Sequence, residues 1–188
     1  MRTHRQLVVY ETILQALREP GCPFCRFLKE FQAERLQNHP QGKIHHLCNF
    51  HAWGFAAVQN AANVADVFIH LINEFPNAAG EEVGCRICEE VLAEENLRMR
   101  EFVGHWKEAE VALWLRNDAV LCMPHGLKLK QKAPLALAAR VDEIMSRNCQ
   151  VLAEQLEHLR DEPDPDRVGW GALGRAAEFL VAQRGLRA

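Results

Sequence analysis

Along most of the chain, apolar side chains recur every three or four positions, and β-branched residues do not alternate with polar ones. That periodicity predicts an all-α protein. The clearest stripe is Leu137, Val141, Ile144, Met145, Leu152, Leu156 and Leu159, which predicts one long helix over 135–160. Arg140, Glu143, Arg147, Glu154 and Glu157 lie mostly away from the stripe, and Cys149 on its flank reads as a buried core thiol. Further helices are expected over 3–18, 22–37, 48–60, 64–74, 85–105, 106–117 and 122–131. Pro20-Gly21 stops the first, and Asn38-His39-Pro40-Gln41-Gly42 reads as a loop. The prolines at 163 and 165 make 161–166 a linker. A last amphipathic helix over 170–183 is expected to dock through Trp170, Leu173, Ala177, Leu180 and Val181.

Composition narrows the class. Of the 188 residues, 48% are hydrophobic and 25% charged, the balance of a globular chain rather than a disordered one. A net charge of -3 argues against bulk attraction to nucleic acid or to anionic membranes. The first apolar run stops at Glu11, so no secretory signal is read there, and no stretch is long and apolar enough to span a bilayer. A cytoplasmic location is the expectation. In a reducing cytoplasm, closely spaced cysteines are ligands or redox thiols more often than structural disulfides.

The cysteines repeat a pattern. Cys22-Pro-Phe-Cys25 is followed by Cys48-Asn-Phe-His51, and Cys85-Arg-Ile-Cys88 by Cys122-Met-Pro-His125. Side chains at i and i+3 in a first helical turn point the same way, so each motif offers two donors to one ion. Helix N-termini also favour thiolates through their unbonded N–H groups and dipole. The eight residues divide the chain into tandem units over 1–75 and 80–132, with a helical tail over 135–188 packing on both. Neither unit has core enough to stand alone, so stacking into one body is expected.

Tandem order and similar loop lengths favour pairing within each unit, giving two sites of three cysteines and one histidine. A cross-braced pairing would instead give one site of four cysteines and one of two cysteines and two histidines. Three thiolates and an imidazole make a closed tetrahedral zinc set with no position for water, which favours a structural Zn2+ in each site. Such a site adds one negative charge, since three protons leave and two positive charges arrive. The same ligands also suit an iron–sulfur cluster in an electron-transfer or redox-sensing protein. Cys22-Pro-Phe-Cys25 has in addition the form of a thiol–disulfide oxidoreductase motif, though no βαβ pattern surrounds it.

Other residues carry weaker signals. His45 and His46 precede Cys48 and read as polar loop residues, with a supporting or alternative ligand role as the sharper reading. Trp53, Trp106, Trp114 and Trp170 read as packing residues, with Trp53 placed to shield the first site. Lys128, Lys130, Lys132, Arg140 and Arg147 do not share one helix face and read as solvated surface rather than a nucleic-acid patch. No Ser-His-Asp order, Walker loop, GxGxxG or HExxH is present.

Gly21-Cys-Pro-Phe-Cys25 with Leu47-Cys-Asn-Phe-His-Ala-Trp53, then Gly84-Cys-Arg-Ile-Cys88 with Leu121-Cys-Met-Pro-His125, resemble an uncharacterised bacterial domain-of-unknown-function family. Its members are helical and carry paired CPxC and LCxxH motifs. The tryptophan-containing helix from Trp170 is similar too. The resemblance implies metal binding and a bacterial origin but no activity. Arg86 stands where the motif has proline, which removes no ligand. Together these readings point to a metal-binding interaction or regulatory module, with another protein as partner, rather than an enzyme.

Overall fold

The structure is a computed structural model that describes residues 4–38, 46–78, 84–161 and 171–182. Among the described residues it contains nine α-helices and no strand. They are α1 (His4–Leu17), α2 (Pro23–Asn38), α3 (Asn49–Val58), α4 (Ala61–Ala78), α5 (Arg86–His105), α6 (Ala109–Asn117), α7 (Met123–Lys132), α8 (Leu135–Asp161) and α9 (Gly171–Val181). The all-α expectation holds, and every helix read from periodicity is present. Most of the 38–42 loop, most of the 161–166 linker, His45 and Trp170 lie outside the described residues.

Two compact units form, and they do not follow the expected tandem boundaries. One combines residues 1–27 with 97–188; the other is 28–96. The divisions fall inside α2 and α5, so each unit holds the start of one of these helices and the end of the other.

In the first unit, Tyr10, Ile13, Leu17, Phe24, Met99, Phe102, Val111, Trp114, Leu121, Leu129, Val141 and Ile144 pack into one core. Phe24 meets Phe102 edge-on at 5.5 Å between centroids, and Phe102 meets Trp114 in the same way at 6.0 Å. The stripe of α8 faces this core at Leu137, Val141 and Ile144, as its spacing predicts. α7 crosses α8 closely at Gly126, where a Cβ would lie 2.5 Å from the Met145 sulfur. Lys130 ties the same two helices together through Asp142 at 2.7 Å.

α8 also fixes the segment that leads into α7. Arg140 donates to the Leu115 carbonyl at 2.9 Å and to the Arg116 carbonyl at 3.1 Å, satisfying oxygens left bare at the end of α6. Arg147 donates to the Ala119 carbonyl at 3.2 Å. Arg147 is exposed, as expected of surface, and Arg140 is half-buried; together they brace the approach to Leu121 and Cys122.

Three expectations about packing fail. Cys149 is exposed; a position at the flank of a stripe is near the core only if a neighbouring helix covers it. Trp53 is 75% exposed rather than packed. On α9, Leu173, Leu180 and Val181 are exposed, and the helix docks instead through Phe179, 7% exposed. Ala182 follows it in a left-handed conformation (φ 69°) and is buried against Cys25 and Cys122. That conformation is costly for a residue with a Cβ, and here it turns the chain so that the methyl covers two thiols.

The second unit has a smaller core of Leu36, Phe55, Val67, Cys85 and Ile87, with Val64, Phe68 and Leu71 of α4 packed against it. The end of α2 joins α3 through Gln59, whose side-chain amide donates to the carbonyls of Leu36 and Gln37, each at 2.8 Å. It meets the start of α5 through Arg35 and Glu90 at 3.5 Å.

Gly126→Leu should destabilise the first unit by about 1–3 kcal/mol, because the added side chain must displace Met145. Gly104, with open space at its Cβ position, should behave oppositely: Gly104→Ala should stabilise by roughly 0.5–1 kcal/mol through helix propensity. Thermal unfolding of the two variants checks both signs.

Candidate metal centres

Each ligand pair is built the same way. The carbonyl of the first ligand accepts the N–H four residues on: Arg26 to Cys22 (3.3 Å), Ala52 to Cys48 (2.9 Å), Glu89 to Cys85 (3.1 Å) and Gly126 to Cys122 (2.8 Å). The first ligand therefore occupies the N-cap and the second the third helical position. Those two positions face one another at any helix start, which is why a capping box also joins them. Cys48 and Cys122 share nearly one backbone conformation, φ -69°, ψ 161° and φ -73°, ψ 157°, and neither side chain caps its helix. These two ligand pairs are thus left to point at something else.

Leu47 and Leu121 anchor the two Cys-x2-His starts by packing into the core of their own unit. Gly21, with φ 97°, makes the turn that delivers Cys22 after α1. A residue with a Cβ would be strained there.

The pairs assemble crosswise. Cys22 and Cys25 at the start of α2 meet Cys122 and His125 at the start of α7, inside the first unit. Cys25 Sγ lies 3.5 Å from Cys122 Sγ and 3.3 Å from His125 Nδ1; His125 Nδ1 lies 3.0 Å from Cys122 Sγ and 3.6 Å from Cys22 Sγ. In the second unit, Cys48 and His51 at the start of α3 meet Cys85 and Cys88 at the start of α5. His51 Nδ1 is 3.4 Å from Cys48, 3.3 Å from Cys85 and 3.3 Å from Cys88, and the Cys48 and Cys88 sulfurs are 3.7 Å apart.

All eight expected ligands are therefore brought together, and each set has three thiols and one imidazole. The pairing within tandem units is overturned, and so is the cross-braced alternative of four cysteines against two cysteines and two histidines. The reason is the length of α2. Its 16 residues extend about 24 Å, and α3 packs against its far end through Gln59 and Leu36. Cys22 and Cys25 are left at the near end, where the start of α7 completes their set.

Both sets can hold a metal ion. Within each, the donor atoms lie within 4.8 Å of one another. Bonds of ~2.3 Å to sulfur and ~2.0–2.1 Å to nitrogen imply tetrahedron edges of about 3.5–3.8 Å. The separations of 3.0–3.7 Å are close to that figure without any rearrangement of the helices. Each histidine turns Nδ1 toward its sulfurs, a choice of ring nitrogen that spacing alone did not reveal.

The crowding perturbs the thiols. Burial, followed by the hydrogen bonds shared with Cys48 and Cys85, pushes Cys88 up to about 12. Cys122 is raised by its hydrogen bonds to Cys22 and Cys25 and then by burial. For Cys22 burial acts upward, but the hydrogen bonds from Cys122, Cys25 and His125 and the His125 charge together bring it well below the ordinary thiol range. Thiols so close cannot all ionise unless a cation sits among them.

His46 is exposed and joins neither set. Residues missed in the sequence are the covers. Phe24 lies 5.8 Å from the His125 ring, Phe50 lies 5.2 Å from the His51 ring, and Ala182 closes over Cys25 and Cys122. Phe24 and Phe50 sit between the ligands of their own motifs, a signal that was available; Ala182 had none.

No family model, no curated protein and no solved structure matches the chain.

Paired substitutions distinguish the two wirings by stoichiometry. Cys25→Ser with Cys122→Ser should remove one metal equivalent per chain, because both changes fall on one site. Cys25→Ser with Cys48→Ser should remove both. Elemental analysis after a weak chelator wash reads the result, and tandem pairing would reverse it. Acidification should release metal from the unmodified protein as protons compete for thiolate and imidazole, followed with a chromophoric chelator.

Proposed function

We propose that the chain is a two-zinc helical module that works by binding another protein, as an interaction or regulatory element, rather than by catalysis. The observation that carries this reading is the closure of each ligand set. Cys22, Cys25, Cys122 and His125 offer four protein donors to one ion, as do Cys48, Cys85, Cys88 and His51. A closed tetrahedral set leaves no coordination position for water or substrate, which is the mark of structural zinc rather than catalytic zinc.

Donor spacing favours a single ion over a cluster. An iron–sulfur cluster holds its cysteines on different irons, so they spread over the width of the cluster instead of one tetrahedron edge. Donors within 4.8 Å of one another fit the narrower arrangement. A dithiol redox role is disfavoured because Cys25 is 2% exposed and faces other ligands, whereas an attacking thiol must be reachable.

The partner is argued from surface. In the unit 28–96, Trp53, Ile69 and Ile72 are 75%, 58% and 69% exposed; Ile69 and Ile72, three positions apart on α4, share a helix face, and an apolar face left in water is a surface on which a protein can dock. No described helix is long and apolar enough to cross a membrane. A reducing cytoplasm keeps the six ligand thiols available, and in this reading the resemblance to the bacterial family with paired CPxC and LCxxH motifs reflects a shared two-metal scaffold.

Purification without oxygen, followed by elemental analysis, tests the metal. The expected result is a colourless protein with two zinc ions per chain. A brown protein with visible charge-transfer bands and inorganic sulfide would overturn the zinc assignment and make the iron–sulfur reading the correct one.

A further inference from the structure

The structure assigns a ligand site for an amphipathic anion, a carboxylate on an apolar body, to a cavity in the unit formed by 1–27 and 97–188. The cavity is an open cleft of about 550 Å³ between the start of α2, the approach to α7, and the facing sides of α8 and α9, with Arg147 and Arg175 at its solvent-exposed rim. That volume lies in the range of small-molecule sites, which are mostly apolar with a few polar groups that orient the ligand. Its walls are largely apolar, with Val120, Leu121, Val151, Leu152 and Phe179 contributing.

Charge selects the ligand class. Arg26, Arg147 and Arg175 line the cavity against Glu178 and the single net negative charge that a zinc ion with three thiolates would leave at Cys22, Cys25 and Cys122, so positive charge is in excess. Arg26 is spent on Glu19 at 3.0 Å. Among the described residues, Arg147 and Arg175 hydrogen-bond only neutral oxygens, the Ala119 carbonyl at 3.2 Å and Gln155 Oε1 at 3.0 Å. Neither is ion-paired among the described residues, so two cations on α8 and α9 border an apolar space. A carboxylate pairs with guanidinium more strongly than those neutral oxygens do. Asn148, between Arg147 and Cys149 on α8, also lines the cavity, and its buried side-chain nitrogen has no hydrogen-bond partner among the described residues.

Cys22, Cys25 and Cys122 form part of the wall. Occupation of the cavity therefore borders the candidate metal site of its own unit. The proposal does not depend on which metal is bound, since the arginines and apolar walls come from α8, α9 and the approach to α7.

The test is titration calorimetry on the full metal-loaded chain with decanoate, and with decan-1-ol and decyltrimethylammonium as neutral and cationic counterparts. Decanoate should bind at one site per chain, and the counterparts at least tenfold more weakly. Arg147→Ala with Arg175→Ala should weaken decanoate at least tenfold, and Val151→Trp, which fills the cavity, should abolish binding. Circular dichroism and metal content identify folded variants; if the tryptophan variant misfolds, the arginine pair and the ligand series still decide. Equal binding of decanoate and decan-1-ol, undiminished binding in the folded variants, or no saturable binding of decanoate would overturn the site. Metal content measured on the same samples separates that failure from a failure of the two-zinc reading.

Discussion

Four donor atoms must stand about one tetrahedron edge apart for a single ion to bind them all, and this chain meets that constraint only by joining helix starts remote in sequence. The local half of the problem is solved by the helix itself, since N-cap and third helical position always face each other. The remote half needs two such starts brought head to head. Cys25 and Cys122 are 97 positions apart, yet their sulfurs lie at 3.5 Å. The packing of α7 on α8, the anchoring of the α6–α7 segment by Arg140 and Arg147, and the turn at Gly21 all act to make that meeting possible.

Magnitudes show why bound ions would matter unequally to the two units. Structural zinc contributes apparent binding free energies of about 10–16 kcal/mol in small domains, comparable with the whole net stability of an ordinary fold, about 5–15 kcal/mol. The unit of 1–27 and 97–188 buries aromatic pairs and the stripe of α8 in a broad core. The unit 28–96 has a core cluster of Leu36, Phe55, Val67 and Ile87 with a ligand, Cys85, counted among its members. There the candidate metal site and the hydrophobic core are the same place, so an ion held there would substitute for apolar surface that the sequence does not supply.

The helices were legible because their ends carry local chemistry: Pro20-Gly21, the polar loops and the ligand motifs themselves mark starts and stops. The eight ligands were legible for the same reason, since i, i+3 spacing at a helix start is a local property. Their partnership was not. Motif order says nothing of where α2 ends in space, and tandem pairing assumed a return that a 16-residue helix followed by α3 docking on its far end does not make. The α9 face was misread because apolar residues lie on more than one side of that helix. The helix instead buries Phe179, and Ala182 beyond its end packs on the thiols of Cys25 and Cys122, a neighbourhood that periodicity cannot see. Cys149 and Trp53 show the same limit, since burial needs a covering neighbour as well as an apolar side chain.

The crosswise joining of helix starts is read most directly by substituting both sites with the spin-active isotope of cadmium and recording NMR correlations through the metal–ligand bonds. One cadmium resonance should correlate with the β-protons of Cys22, Cys25 and Cys122 and the ring protons of His125, and the other with Cys48, Cys85, Cys88 and His51. A resonance that correlates with Cys25 and Cys48 together would contradict the account.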